Sequence, residues 1–232
     1  MFNLILPIPE SIELDIVFED PWLIAVNKPS GMVVHPSYKN LSGTLLNGIL
    51  AHRVLPATPG IVTRLDKGTS GLVLTALTSQ VHRAVQRDAT AGLVKKEYLA
   101  VVFGVPAPRR GTICLPLARE VADRRRVAVT AGGAVSETRY EVLQDDGALA
   151  LLRCELVTGR THQIRVHLAA SGWPIAGDPT YGRPHPRLAR QALHAWRMAL
   201  PHPLTREPLT MTARVPPDMR AAFPAFERAF DL

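Results

Sequence analysis

The run SETRYEVLQDDGALALLRCELV, residues 136–157, limits the possible folds more than any other stretch of the chain. Two β-rich segments flank Gln-Asp-Asp-Gly, and Asp146-Gly147 is a strong signal for a tight turn. Strands joined by so short a connection run antiparallel. The other segments extend that picture. Ile12, Leu14, Ile16 and Phe18 alternate with other residues, as a half-buried strand does. WLIAVNKPSGMVVHPS is an apolar run broken by a turn at Pro29 to Gly31. TLLNGILAH, residues 44–52, has the spacing of a short helix capped by Thr44. SGLVLTALT and KKEYLAVVFG read as strands, with a polar helix capped by Ser79 between them. RTHQIRVHLAASG reads as a helix entered at Arg160, capped by Thr161 and ended at Gly172. The proline-rich last third is expected to form short strands and loops packed on the main body. Strands outnumber helices without strict β-α-β alternation, so the expected class is α+β with a largely antiparallel sheet and flanking helices.

The 232 residues suit one large domain or two small ones, and 47% hydrophobic with 20% charged residues is an ordinary globular mixture. No repeat and no linker divides the chain. The formal net charge of +7 favours a polyanionic partner, most often nucleic acid. Cys114 and Cys154 form no C-x-x-C pair and offer neither a zinc motif nor a disulfide framework. They are expected to be small buried apolar groups of a reducing cytosol. The N-terminus lacks the pattern of a signal peptide, and no apolar segment reaches membrane-spanning length. A soluble, cytoplasmic protein is expected.

Three constellations could carry chemistry. In GIVTRLDKGTSGLVL, residues 60–74, one carboxylate, Asp66, sits between Arg64 and Lys67. A loop aspartate often serves only its own turn. Flanked by cations at the mouth of a sheet, it would also stay ionised and available as nucleophile or base. In KKEYLAVVF, Tyr98 shares a strand face with Ala100 and Val102, as a core aromatic or as a ring lying against a flat substrate. In ELVTGRTHQIRVHLAASGWPIAGDPTYG, residues 155–182, Arg160, His162 and Gln163 gather at a helix start, where a phosphate would bind well. His162 and His167 lack the spacing of zinc ligands, so no metal is expected. Ile164 and Leu168 form an apolar stripe beside Arg165, which turns Arg165 inward. An inward arginine needs a carboxylate, and Asp66 is the candidate partner.

RLDKGTSG, KKEYLAVVFG and TGRTHQIRVHLAASGWPIAGDPTYG resemble, in order, the signature motifs of the RluA family of RNA pseudouridine synthases. NKPSGMVVHPS before them and LHAWRMALPHPLT after them match in character. The resemblance covers residues 12–219, and a series of long motifs in order is far more specific than any one of them. It implies one catalytic domain over residues 1–232, with an N-terminal extension over 1–11, a core over 12–219 and a tail over 220–232. By position it makes Asp66 the catalytic aspartate, Arg64 the arginine that meets the RNA, and Tyr98 the ring that stacks on the base. Arg165 becomes the partner of Asp66, and Ile164 borders the base pocket. One departure is Thr63, where the family usually has histidine before R-L-D.

Uridine and pseudouridine are isomers, so the resemblance implies no cofactor. The partner would be RNA, a tRNA or ribosomal RNA stem-loop, bound by a monomer. The first strand is expected to begin by Ile12, so the small RNA-binding domain that precedes many relatives is not expected, which puts tRNA first. Arg124, Arg125 and Arg126 could follow the phosphate backbone, as could any solvated loop. The alternative is a non-catalytic RNA-binding or chaperone protein of the same fold, which would have no need of Asp66. A hydrolase with two carboxylates is a further rival and would require a second acid beside Asp66.

Overall fold

The structure, a computed structural model, describes residues 7–37, 40–55 and 57–231. Residues 1–6 of the expected N-terminal extension therefore lie outside the described residues. The chain divides into two compact units, neither of them a single stretch: residues 1–94 with 197–214, and residues 95–196 with 215–232.

The first unit is built on a sheet covered on both faces. β1 (Ile16–Glu19) pairs antiparallel with β2 (Leu23–Lys28). α1 (Leu45–His52) follows, capped by Thr44 as its sequence predicts, with Asn47 closing a capping box. β3 (Gly60–Ile61) and β2 both pair antiparallel with β4 (Ser70–Ala76). α2 (Ser79–Thr90) comes next. The period of two along β2 and β4 sorts their side chains. Leu23, Ala25, Leu72, Leu74 and Ala76 join one core with Val81 and Val85 of α2. Ile24, Val26 and Val73 join the other with Leu45 and Ile49 of α1. A strand buried on both faces reads as a continuous apolar run, which is why Leu23–Val26 carries no polar alternation. Each such Leu, Ile or Val contributes about 1.5–3 kcal/mol by burial.

The second unit opens with β5 (Lys95–Phe103), β6 (Arg110–Ile113), β7 (Leu117–Arg119) and β8 (Val127–Val129). β9 (Thr138–Asp145) and β10 (Leu149–Leu156) form the hairpin predicted around Asp146-Gly147. β10 also pairs with β5, and β9 with β6, all antiparallel. β7 and β8 form a separate two-stranded ribbon. α3 (Gln163–Ala170) packs on β8 and β9. β11 (Leu193–Pro201) starts in this unit and ends in the first, where it pairs antiparallel with β12 (Pro208–Thr212). α4 (Pro217–Ala222) and a 3-10 helix over Pro224–Asp231 close the second unit. The expected class, α+β with a largely antiparallel sheet, holds.

Local expectations fail in instructive places. Residues 11–15 form no strand. Ile12 and Leu14 pack on α1 instead, so closely that a Cβ at Gly48 would lie 3.0 Å from Leu14 Cδ2. The cap of α2 is Thr78, whose Oγ1 accepts the Val81 N–H at 3.2 Å, and Ser79 is the first helical residue. Thr161 does not cap α3; that position belongs to His162, in the left-handed region at φ 56°. Cys154 is buried as expected, which pushes its thiol up to about 12, but Cys114 is exposed.

Candidate active site

Asp66 belongs to the first unit, on the loop from β3 into β4, and is half-buried. Its carbonyl accepts the Thr69 N–H at 3.0 Å, closing a tight turn over residues 66–69. The Pro-Ser-Gly turn after β2 grips the same loop. Gly31 N–H donates to Lys67 O at 2.8 Å, and Ser30 Oγ donates to Gly68 O at 3.2 Å. Beneath both lies Lys28, fully buried, whose Nζ donates to Pro29 O at 2.8 Å, Met32 O at 2.9 Å and Lys67 O at 3.4 Å. NKPSG and RLDKGTSG, 39 residues apart at the Lys28–Lys67 contact, are thus one structural unit. Arg64 is exposed on the same loop. Thr63, the departure from the family pattern, accepts the Leu74 N–H on its Oγ1 at 3.0 Å and so anchors the loop to β4.

The other expected residues belong to the second unit. Tyr98 lies on β5, opposite Cys154 of β10, and is 7% exposed. Arg160, His162, Gln163, Ile164 and Arg165 gather at the start of α3. Arg160 is exposed, and its Nε donates to Val135 O at 3.3 Å. Ile164 is buried, as the apolar stripe requires.

Gln163 has an architectural role where an RNA contact was expected. Its Oε1 accepts from Arg160 N–H at 2.9 Å and Thr158 Oγ1 at 2.8 Å. Its Nε2 donates to Glu137 O and Thr138 Oγ1, both at 2.9 Å. All four bonding positions of the amide are filled. The network continues to His167. Thr138 Oγ1 already accepts from Gln163, so its proton is directed at His167 Nδ1, 2.9 Å away, while His167 Nε2 donates to Leu115 O at 2.9 Å. Burial lowers the His167 pKa, and the hydrogen bond to Leu115 offsets this only in part.

Arg165 is turned inward, as its neighbours imply, and is 5% exposed. Its Nε and Nη2 meet Asp178 Oδ2 and Oδ1 at 2.7 and 2.8 Å. Asp178 also accepts the backbone N–H groups of Thr180 and Tyr181 on Oδ1, at 2.8 and 3.1 Å. Burial pushes its carboxyl up, but the bonds and charge of Arg165, with the two N–H groups, hold it below the usual carboxylate range. Tyr181 lies over the same arginine, with Arg165 Cζ 5.0 Å from its ring centroid. Sequence reasoning passed over Asp178, Tyr181 and Lys28. The signal for the first two was Gly-Asp-Pro-Thr-Tyr-Gly: a Cβ at Gly177 would run into the carbonyls of Leu188 and Arg190, and one at Gly182 into that of Ile175. Among the described residues no group of three His, Cys, Asp or Glu could hold a metal ion, and no helix is long and apolar enough to cross a membrane.

Solved structures share this architecture. It is similar to that of Human RNA Pseudouridylate Synthase Domain Containing 1, with a TM-score of 0.74 and 25% identity over 96% of each chain. Human RNA Pseudouridylate Synthase Domain Containing 4 has the same fold, at a TM-score of 0.71 over 91% of this chain and 92% of that one. The fold is therefore that of the pseudouridine synthases. Residues 22–170 match the RNA pseudouridylate synthase family, and the chain belongs to it, in the RluA-type branch that its motifs resemble. The chain is 45% identical over 228 residues to Ribosomal large subunit pseudouridine synthase D of Nitrosomonas europaea, covering 93% of this chain and 66% of that protein. It is 42% identical over 217 residues to the Uncharacterized RNA pseudouridine synthase YlyB of Bacillus subtilis, covering 90% and 72%. Against the ribosomal relative of Neisseria meningitidis serogroup A, the chain spans 61% of the relative's length.

Proposed function

We propose that the chain is an RNA pseudouridine synthase in which Asp66 is the catalytic aspartate. The observation that carries this reading is the family match across residues 22–170, with Asp66 on a loop gripped by the NKPSG turn. The reaction breaks the N1–C1′ bond of a uridine, turns the uracil, and joins C5 to C1′. The C5 proton is lost and N1 ends protonated, so the product is an isomer and no redox partner takes part. The Asp66 carboxylate acts at C1′ as nucleophile, or at the adjacent ribose carbon as base. Arg165, drawn inward beside Asp178, orients Asp66. Tyr98 stacks on the base and helps remove the C5 proton. Arg64, Arg160 and His162 take the RNA, and Ile164 borders the base. A base must leave its stack to be isomerised, which calls for such aromatic and cationic surroundings.

The substrate we favour is a ribosomal RNA hairpin, ahead of the tRNA that the sequence suggested, because several relatives carry large-subunit ribosomal names. The chain would act as a cytoplasmic monomer. The test is tritium release from C5-tritiated uridine in ribosomal RNA transcripts and in bulk tRNA. Release from the ribosomal transcript supports both activity and substrate. Release from tRNA alone overturns the substrate, and release from neither overturns the activity.

A further inference from the structure

The β7–β8 ribbon carries the most concentrated basic stretch of the chain, yet much of that charge is engaged at home. Arg125 Nε and Nη2 hold Asp123 at 2.8 and 2.9 Å, and Arg126 Nε holds Glu120 at 3.2 Å. What the ribbon does have is a firm attachment to the start of α3, made by Tyr181. The Tyr181 hydroxyl accepts the Val127 N–H of β8 at 2.8 Å and hydrogen-bonds His162 Nδ1, also at 2.8 Å. Two guanidiniums lie over its ring, with Arg126 Cζ at 5.3 Å and Arg165 Cζ at 5.0 Å from the centroid. Below it, Leu117 of β7, Val127 of β8 and Val166 of α3 form a small apolar core against which the ring packs. One side chain therefore touches the ribbon, the left-handed His162 and the inward Arg165 at once.

We propose that Tyr181 is a positioning residue for Arg165 and His162, setting both against the β7–β8 ribbon. The inference rests on the synthase reading above. The ring limits where the Arg165 guanidinium can lie, while Asp178 fixes its Nε edge. The hydroxyl holds the His162 imidazole and ties α3's first turn to β8. A displacement of the ribbon is thereby passed to both residues. Misplacing such a group by about an ångström can cost about a hundredfold in rate.

The experiment compares wild type, Tyr181→Phe and Tyr181→Leu by single-turnover tritium release at saturating enzyme, with RNA affinity and thermal melting measured alongside. Tyr181→Phe keeps the ring against both guanidiniums and removes the hydroxyl. It should melt within about 5 °C of wild type yet turn over about tenfold more slowly at saturation. Tyr181→Leu also loses the ring and should be slower again by about tenfold. A Tyr181→Phe rate within twofold of wild type overturns the proposal, whatever happens to melting or affinity, because a merely structural tyrosine would behave that way. A Tyr181→Leu protein that folds and matches Tyr181→Phe overturns the part assigned to the ring. If wild type itself releases no tritium from any RNA, the synthase reading fails and takes this proposal with it.

Discussion

Arg165 and Asp178 meet side on, two nitrogens to two oxygens at 2.7 and 2.8 Å, with the aspartate carboxylate wholly shielded from solvent. Arginine forks fit carboxylates in this bidentate way, and burial makes the pair costly to break from either end. Asp178→Ala should destabilise the protein by about 3–5 kcal/mol, since a buried guanidinium loses its counter-charge. Asp178→Asn, which still offers an oxygen to the Thr180 and Tyr181 N–H groups, should cost less. Urea unfolding of the two variants checks the order. Because the Asp178 pKa is held down in the folded state, its contribution is complete above the ordinary value of 3.8 and is lost as pH falls through the lowered value. The stability gap between wild type and Asp178→Asn should therefore close in acid.

His167 should make stability depend on pH in a higher range. Its Nδ1 accepts from Thr138 and its Nε2 donates to Leu115, so a second proton would oppose the threonine proton. The folded pKa lies below the ordinary 6.5, so the unfolded chain binds the proton first and stability declines as pH falls from 6.5 toward the lowered value. The decline amounts to at most about 1.4 kcal/mol per pH unit from this one group. Urea midpoints at pH 7.5 and 5.5 should separate more for wild type than for His167→Gln. Equal separations would remove His167 from the account.

Lys28→Met keeps the length of the side chain and removes every N–H that Nζ offers to Pro29, Met32 and Lys67. Hydrogen bonds from a charged donor are worth about 1.5–3 kcal/mol. A loss of that order is expected in denaturant unfolding, with a slower reaction because the Asp66 loop loses an anchor. A variant as stable as wild type would mean that the neighbouring turn holds the loop alone.

Asp66→Asn preserves shape and hydrogen-bonding reach while removing the nucleophile or base. Tritium release should fall below detection, with RNA affinity in a filter or fluorescence assay within about threefold of wild type; ~1 kcal/mol or less separates those affinities. Residual turnover at a substantial fraction of wild type would refute the assignment of Asp66.

Those features of the fold that depend on near neighbours were readable in the sequence. The β9–β10 hairpin follows from Asp146-Gly147, the cap of α1 from Thr44, and the end of α3 from Gly172, which sits at φ 87°. The inward turn of Arg165 also followed from Ile164 and Leu168 beside it. What escaped depends on distant partners. Gln163 looked like a polar residue offered to a ligand, because nothing local says that Thr158, Glu137 and Thr138 would enclose its amide. Asp178 was passed over since it reaches Arg165 across a stretch without regular structure. The alternation at Ile12 and Leu14 was real, but a helix rather than a strand covers it.

The first unit is closed by residues that come near the end of the chain. Arg206 meets Asp88, His202 meets Asp20, and Met198, Leu200, Met211 and Ala213 complete the core around Leu23 and Leu72. A ribosome making this protein delivers those side chains long after β2 and β4 have emerged. The early strands must wait with one apolar face covered only in part, by α2, while residues 95–196 of the second unit are synthesised. Contacts so distant in sequence slow folding through the entropy of closing large loops. The nascent chain is thus most exposed to misassociation during this interval, and truncation before β11 would strip the Asp66 unit of part of its core.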